Sequence, residues 1–293
     1  MDQAEQLRNI IKTKQLRRKS SARVLTITSG KGGVGKSNVS INLGIQLQKM
    51  GKKVLILDAD FGLANVEVLF GAIPQYTLRD VIEGKKSLED TITKGPLDIQ
   101  FISGGTGVEG MANLNKVQLT NLLRNIPKLD ALADVIIIDT GAGISDSVLE
   151  LVAAGSEVLL VSTPEPTSLT DAYSLLKSLY HYDGFSKQDT KIRIIANRVS
   201  NTIEGKNLHK KLNIVSEKFL GLSLDYLGSV PIDDQLVKAV MAQSPVTISY
   251  PKARSSKAFE QLAMDLLKEN TEETEKRKSL SQIFQSFFQT NSK

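Results

Sequence analysis

The chain has 293 residues, of which 41% are hydrophobic and 24% are charged, the balance of a globular protein with a sizeable core. It contains no cysteine, which excludes a disulfide framework, a thiolate nucleophile, and a zinc or iron–sulfur site held by cysteine. The formal charge of +5 is concentrated at the start, because residues 1–23 carry seven basic side chains against two acidic ones.

These first 23 residues form a basic arm, which could meet an acidic protein partner, nucleic acid or lipid, or could be a solvated tail. No apolar run approaches the ~20 residues that a membrane-spanning helix needs. The first residues also lack the charged-then-apolar order of a secretory signal. We therefore expect a cytoplasmic protein unless something anchors it.

Short β-rich segments alternate with helical patterns from residue 24 onward. Several of these segments are continuously apolar, as strands covered on both faces should be. The alternation predicts a single α/β domain over residues 24–270, with a mostly parallel twisted sheet flanked by helices. The strand candidates are residues 24–28, 53–58, 99–103, 134–139, 157–162, 191–197 and 225–231. Two helices are predicted most clearly, over residues 37–51 and 168–180.

A glycine-rich loop follows the first predicted strand and precedes a helix. It matches the phosphate-loop pattern G-x-x-x-x-G-K-S/T from Gly30 to Ser37. Glycines let the backbone amides point at phosphate oxygens, Lys36 is placed for the β- and γ-phosphates, and the Ser37 hydroxyl is a magnesium ligand. The predicted nucleotide-binding residues here are Gly30, Lys31, Gly32, Gly33, Val34, Gly35, Lys36, Ser37 and Asn38.

The same segment, KGGVGKS, resembles the deviant Walker A motif of the MinD/ParA ATPases. In that family the extra lysine, here Lys31, reaches across a dimer interface to the partner's nucleotide. The resemblance implies a slow magnesium-dependent ATPase that is monomeric alone, dimeric with ATP, and stimulated by dimerisation or by partners. ATP and Mg²⁺ are the cofactors it implies, and Lys31, Lys36 and Asp60 are the catalytic residues.

Two predicted strands end in carboxylates. Asp58 and Asp60 lie in the sequence DADFGLAN, which is similar to the first switch of the family. There the second aspartate positions the attacking water and the first lies near the magnesium shell; a capping or turn role is the alternative. Asp139 ends the second of these strands as a Walker B aspartate would, although it could merely end the strand. The predicted metal site is Ser37, Asp58 and Asp139, with the aspartates acting through water.

The resemblance also assigns residues around the adenine. Asn197 and Arg198 follow one strand, and Pro231 and Asp233 follow another, at positions that frame the base in the family. Asp171 resembles an aspartate at the dimer or partner surface, but as a helix residue it could equally be solvated.

After residue 270 a charged connector leads into an amphipathic segment. The apolar residues share one helical face, the intervening residues are polar, and three basic residues precede them. We expect this helix to bind anionic lipid on the inner face of the cell membrane; docking on the protein's own core is the alternative. The predicted membrane residues are Lys276, Arg277, Lys278, Leu280, Ile283, Phe284, Phe287 and Phe288.

The beginning of the basic arm, DQAEQLR, resembles the N-terminal motif of the FlhG (YlxH or FleN) family, flagellar-number ATPases among the MinD relatives. In that family the segment stimulates the GTPase FlhF, which assigns this role to Asp2, Gln3, Ala4, Leu7 and Arg8. The resemblance further implies flagellar C-ring proteins as partners and the cell poles as a candidate location.

Three other functions are alternatives to this prediction. A division-site regulator of the MinD type differs from this prediction only in the arm motif. A ParA-type DNA segregation ATPase would bind duplex DNA with steep salt dependence, and DNA is disfavoured as a partner. An iron–sulfur carrier is excluded by the lack of cysteine.

Overall fold

The computed structural model describes residues 22–60, 64–105, 118, 122 and 125–268. The predicted activator residues of the arm and the predicted membrane helix lie outside this part of the chain. Within it, no helix is both long and apolar enough to cross a bilayer.

The described residues form a sheet of eight strands in the order β3-β4-β2-β5-β1-β6-β7-β8. All neighbouring strands are parallel except β3 and β4. The strands are β1 Arg23–Ser29, β2 Val54–Ala59, β3 Thr93–Lys94, β4 Gln100–Ile102, β5 Val135–Ala142, β6 Glu157–Ser162, β7 Lys191–Val199 and β8 Asp225–Pro231. The seven predicted strands and the predicted fold class are confirmed. The short antiparallel strand β3 was not predicted.

Helices cover both faces of this sheet. They are α1 Lys36–Lys49, α2 Asn65–Phe70, α3 Leu78–Ile82, α4 Asp146–Ala153, α5 Pro166–Tyr180, α6 Thr202–Leu220, α7 Asp234–Met241, α8 Val246–Ser249 and α9 Arg254–Lys268. One apolar core packs under α4, α5 and α6, and a second packs under α1, α2, α7, α8 and α9. Because both faces are buried, the central strands are continuously apolar, which is the pattern seen in the sequence.

Parallel strands place their carboxyl ends at one edge of the sheet, and we call this the carboxyl edge. The loops after β1, β2, β5, β7 and β8 all leave from it. Register is close enough that Asp58 of β2 lies directly beside Asp139 of β5. Predicted site residues that are far apart in sequence are therefore neighbours in space.

The opposite, amino edge carries a buried ion-pair cluster that corrects one prediction. Arg23, counted with the basic arm, is the first residue of β1 and is only 6% exposed. Its guanidinium lies 2.6 Å from Glu157 of β6, which also contacts Arg193 of β7 at 3.2 Å. A second nitrogen of Arg23 donates to the carbonyl of Leu266 near the end of α9. The arm therefore stops before Arg23, which belongs to the fold.

Glu157→Gln should destabilise the protein by about 3 kcal/mol, because it removes a buried negative charge that two guanidiniums contact. The measurement is urea unfolding, with Lys94→Gln as the control. The Lys94–Asp98 pair is exposed and 4.0 Å apart, so its loss should cost less than about 1 kcal/mol. Equal unfolding free energies for the two variants would contradict the structural role of this cluster.

Candidate functional site

The phosphate loop connects β1 to α1 by a backbone path that requires glycine at defined positions. Gly33 and Gly35 have φ of 76° and 94°, in the left-handed region that other residues avoid. A Cβ on Gly30 would lie 2.1 Å from the backbone carbonyl oxygen of Asp171 in α5. The loop is thus packed against the start of α5 on one side and feeds directly into the amino terminus of α1.

Asn197, at the carboxyl end of β7, holds this loop from the other side. Its Nδ2 donates to the carbonyl oxygen of Val34 at 2.7 Å, and its Oδ1 accepts from the backbone amide of Arg198 at 2.9 Å. A Cβ on Gly35 would lie 2.4 Å from the same Nδ2. The predicted adenine-side residue Asn197 is therefore in contact with the phosphate loop.

Asp139 is fully buried behind the loop, next to the start of α1. Its Oδ1 accepts a hydrogen bond from Ser40 at 3.0 Å. Burial raises the pKa of Asp139, while the charge of Lys36 and hydrogen bonding from Ser37 and Ser40 work in the opposite direction. Its Oδ2 is buried and has no hydrogen-bond partner among the described residues. Such an atom needs a polar partner, which a metal-bound water would provide.

Asp58 lies beside Asp139 and is hydrogen-bonded to backbone amides of the segment that follows it. Its two oxygens accept from the amides of Asp60 and Val66, at 3.2 and 3.1 Å. Burial, and then the neighbouring charge of Asp139, raise the pKa of Asp58 well above its usual value. Both oxygens of Asp58 thus accept backbone hydrogen bonds, so that Asp58 organises the loop that follows β2.

Asp60, the predicted water-positioning residue, is more accessible than Asp58. Asn65, the first residue of α2, donates from its Nδ2 to Asp60 Oδ2 at 3.3 Å. A Cβ on Gly141, near the end of β5, would be 3.8 Å from Asp60 Oδ1. The structure therefore brings Asp60 close to the last residues of β5, just after Asp139.

The oxygen set at this edge fits magnesium better than a transition metal. Carboxylate and hydroxyl oxygens from Asp139, Asp58 and Ser37 are hard ligands, and Mg²⁺ usually keeps waters and phosphate oxygens in the rest of its shell. In the described part of the chain, no group of three or more His, Cys, Asp or Glu residues could hold a metal ion.

Lys31 lies at the surface of the same loop and binds residues of its own chain. Its Nζ is 3.0 Å from Glu165 Oε2 and 2.8 Å from Thr167 Oγ1, both at the start of α5. The side chains of Lys31 and Glu165 are 37% and 56% exposed. Lys36, by contrast, is buried beside Asp139. The two lysines of the motif therefore occupy different environments.

The remaining predicted adenine-side residues lie on the same edge. Pro231 ends β8 and pairs with Val199, while Arg198 is exposed with a φ of 54°. Asp233 caps α7 through Gln235 N and accepts two hydrogen bonds from Ser255. Burial alone would raise the pKa of Asp233, but these hydrogen bonds lower it. Its carboxylate therefore joins the start of α7 to the start of α9 through these hydrogen bonds.

Sequence reasoning missed several contacts of the site. Ser40 follows Ser37 by three residues, so helical spacing could have placed both hydroxyls on the face toward Asp139. Asn65 is the last residue of the segment DADFGLAN, and its polar side chain could have indicated a contact with Asp60. The contacts of Glu165 and Thr167 with Lys31 could not be predicted from a local pattern, because more than 130 residues separate them along the chain.

Comparisons with known proteins agree with this geometry. A family model described as ParA: NUBPL iron-transfer P-loop NTPase matches residues 20–267. The antiactivator FleN of Pseudomonas aeruginosa is 42% identical over 250 residues, covering 85% of this chain and 88% of that protein. The flagellum site-determining protein YlxH of Helicobacter pylori is 31% identical over 267 residues, covering 89% of each. The structure of septum site-determining protein MinD from Pyrococcus horikoshii OT3 complexed with Mg-ADP has a TM-score of 0.71 at 26% identity, covering 87% of this chain and 100% of that one.

Gly30→Ala should destabilise the nucleotide-free protein by about 2 kcal/mol, since the new methyl group would collide with the backbone of α5. Gly32→Ala is the matched control: a Cβ there meets no atom within 4 Å, so stability should change by less than about 0.5 kcal/mol. Urea unfolding without nucleotide measures both. Indistinguishable midpoints would show that the loop is not packed against Asp171 as described.

Proposed function

The chain belongs to the ParA family of P-loop NTPases, in the branch that contains FleN and YlxH, and we propose that it is an ATP-driven dimer switch for flagellar regulation. It hydrolyses ATP slowly, forms a homodimer with ATP, and binds the inner face of the cell membrane reversibly. It regulates the number or placement of flagella, which agrees with the names of these two relatives.

The observation that carries the proposal is the placement of two lysines in one phosphate loop. Lys36 is buried beside Asp139, where it can meet the phosphates of the nucleotide bound by its own chain. Lys31 is at the surface, in an exposed pair with Glu165. A single-subunit P-loop enzyme needs only the first of these, so the second is available to another molecule.

Breaking the Lys31–Glu165 ion pair, so that Lys31 can contact another subunit, requires little free energy. An exposed ion pair such as Lys31–Glu165 contributes less than about 1 kcal/mol. When two ATP-bound subunits face each other, Lys31 of the partner subunit meets phosphate charge in a site from which water is excluded, where an ionic contact is stronger. Nucleotide binding and dimerisation thereby support each other.

In the reaction, the loop amides and the positive end of α1 hold the β- and γ-phosphates, together with Lys36. Ser37 and, through water, Asp139 would hold Mg²⁺, which supplies charge neutralisation on the phosphates. Asp60, held by Asn65, orients the water that attacks the γ-phosphate. Asn197 keeps the loop in position through Val34.

The two ends of the chain supply the location and the partners. The amphipathic segment that contains Phe284 and Phe287 attaches the ATP-bound dimer to lipid, since two weak anchors presented together bind far more strongly than one. The arm residues Gln3 and Arg8 would stimulate an FlhF-like GTPase, and C-ring proteins of the flagellar base would be engaged at the membrane, including at cell poles.

Iron transfer, named in the description of the matching family model, does not suit this chain. The sequence contains no cysteine, so no thiolate exists to ligate an iron–sulfur cluster. A division-site role of the MinD type is the second candidate, because the described domain has the fold of MinD. The higher identity to FleN favours the flagellar role.

Asp60→Asn should retain ATP binding and form a stable dimer, while phosphate release falls by about 100-fold or more, because the group that orients the water is lost. Light scattering after size exclusion and a phosphate-release assay measure these two effects. Asp98→Asn, at an exposed position away from the site, is the control and should behave as wild type. If Asp60→Asn with ATP and Mg²⁺ stays monomeric, the dimer switch is wrong.

Phe287→Glu should abolish ATP-dependent sedimentation with anionic vesicles, because it places a charge on the apolar face of the C-terminal helix. Ser286→Glu introduces the same charge on the polar face and should retain most of the binding. Sedimentation is measured with ATP and with ADP. Binding that responds neither to the nucleotide nor to Phe287→Glu would rule out a membrane switch.

A further inference from the structure

The short helix α2, which comes soon after Asp60 in the chain, depends on other elements for its position. It has six residues, Asn65–Phe70, and no side chain caps its start at Ala64. A helix of this length is not stable by itself in water. Because Asn65 donates to Asp60 Oδ2, the contacts that fix α2 also fix a partner of the residue that orients the attacking water.

Two side chains of α2 join it to β4 and to the three residues that follow β4, which we call the β4 loop (residues 103–105). Glu67 Oε2 accepts a hydrogen bond from Ser103 Oγ at 2.5 Å. The ring centroids of Phe70 and Phe101 lie 5.3 Å apart. Glu67 is half-buried and Ser103 is fully buried, so little water competes for their hydrogen bond. The position of α2 is therefore set by β4 and its loop.

The β4 loop also touches the backbone of the segment that carries Asp60. A Cβ on Gly104 would lie 3.3 Å from the carbonyl oxygen of Asp60. The loop is itself fixed, because the amide of Gly105 donates to Ser103 Oγ at 3.1 Å and the amide of Leu78 donates to the carbonyl oxygen of Ser103 at 2.8 Å. The β4 loop thus supports Asp60 directly through its backbone and indirectly through α2.

We propose that Glu67 and Ser103 are positioning residues for ATP hydrolysis. Their hydrogen bond fixes α2 on the β4 loop and thereby holds Asn65 and Asp60 in the arrangement that orients the attacking water. The inference rests on the role of Asp60 in the proposed function. A displacement of about 1 Å in an orienting group can slow a reaction by about 100-fold, so a hydrogen bond behind Asp60 can set the rate of hydrolysis.

The test measures kcat and KM for ATP from phosphate release by the full-length protein with Mg²⁺. Glu67→Ala should lower kcat by roughly tenfold and leave KM within about twofold, because the phosphate loop, rather than α2, holds the nucleotide. Glu67→Gln keeps an oxygen that can accept from Ser103, so its kcat should return to within about threefold of wild type. Glu89→Ala removes an exposed carboxylate beyond α3 and is the control, which should match wild type.

A second comparison separates positioning from a contribution to stability alone. If the pair only stabilised the fold, its loss would lower the rate by the same factor whether or not Asp60 were present. In the Asp60→Asn background, adding Glu67→Ala should instead change the residual rate of phosphate release by less than about twofold.

Ser103→Ala removes only the donor hydroxyl and should lower kcat as Glu67→Ala does, so it provides the same test if Glu67→Ala does not fold. Glu67→Ala/Ser103→Ala should be no slower than either single variant, since all three lack the same hydrogen bond.

The outcomes distinguish the inference from the proposed function. A wild-type kcat in Glu67→Ala or in Ser103→Ala would show that the inference is wrong and would leave the proposed ATPase in place. Equal losses in Glu67→Ala and Glu67→Gln would mean that the charge acts rather than the hydrogen bond, and would overturn it too. A further tenfold loss in the Asp60→Asn background would do the same. Should the wild type release no phosphate and form no dimer with ATP, both the proposed function and the inference fail.

Discussion

The parallel register of β1, β2 and β5 is the constraint on which the site depends. It sets Asp58 of β2 beside Asp139 of β5, and β1 ends on the other side of Asp139, so that the phosphate loop starts next to a buried carboxylate. Parallel strands can do this because each crossover returns the chain to the same edge. A one-residue slip in the pairing would turn one of these side chains to the other face of the sheet.

Burial of two adjacent carboxylates is unfavourable for folding by itself, and it raises the pKa of both. The fold compensates the burial of Asp58 more completely than the burial of Asp139. Asp58 is satisfied by two backbone amides, whereas Asp139 has Ser40 and the charge of Lys36 but keeps one oxygen without a hydrogen-bond partner in the described chain. The two aspartates therefore differ in that only Asp139 keeps a buried oxygen without a partner in the described part of the chain.

Features that are encoded by a local sequence pattern could be predicted from the sequence. Buried parallel strands are continuous apolar runs, and the phosphate loop is a contiguous motif, so both were found. β3 has two residues and no pattern to detect. Arg23 was misplaced because a basic residue after other basic residues looks like a tail; its partner Glu157 is 134 residues away. The contacts of Asn65, Ser40 and Glu165 are likewise tertiary, which explains why their roles were missed.

The two edges of the sheet are connected by α1. Its first turn belongs to the phosphate loop, and further along Asn42 accepts two hydrogen bonds from Thr247 of α8. Gln46 donates to the carbonyl oxygen of Ser256 in α9, the helix whose far end meets Arg23. Since α1, α8 and α9 pack in one core, a shift of the phosphate loop along α1 must be absorbed by the helix that carries the C-terminal segment. The architecture thus joins the phosphate loop at the carboxyl edge to the Arg23 cluster at the amino edge through α1 and α9.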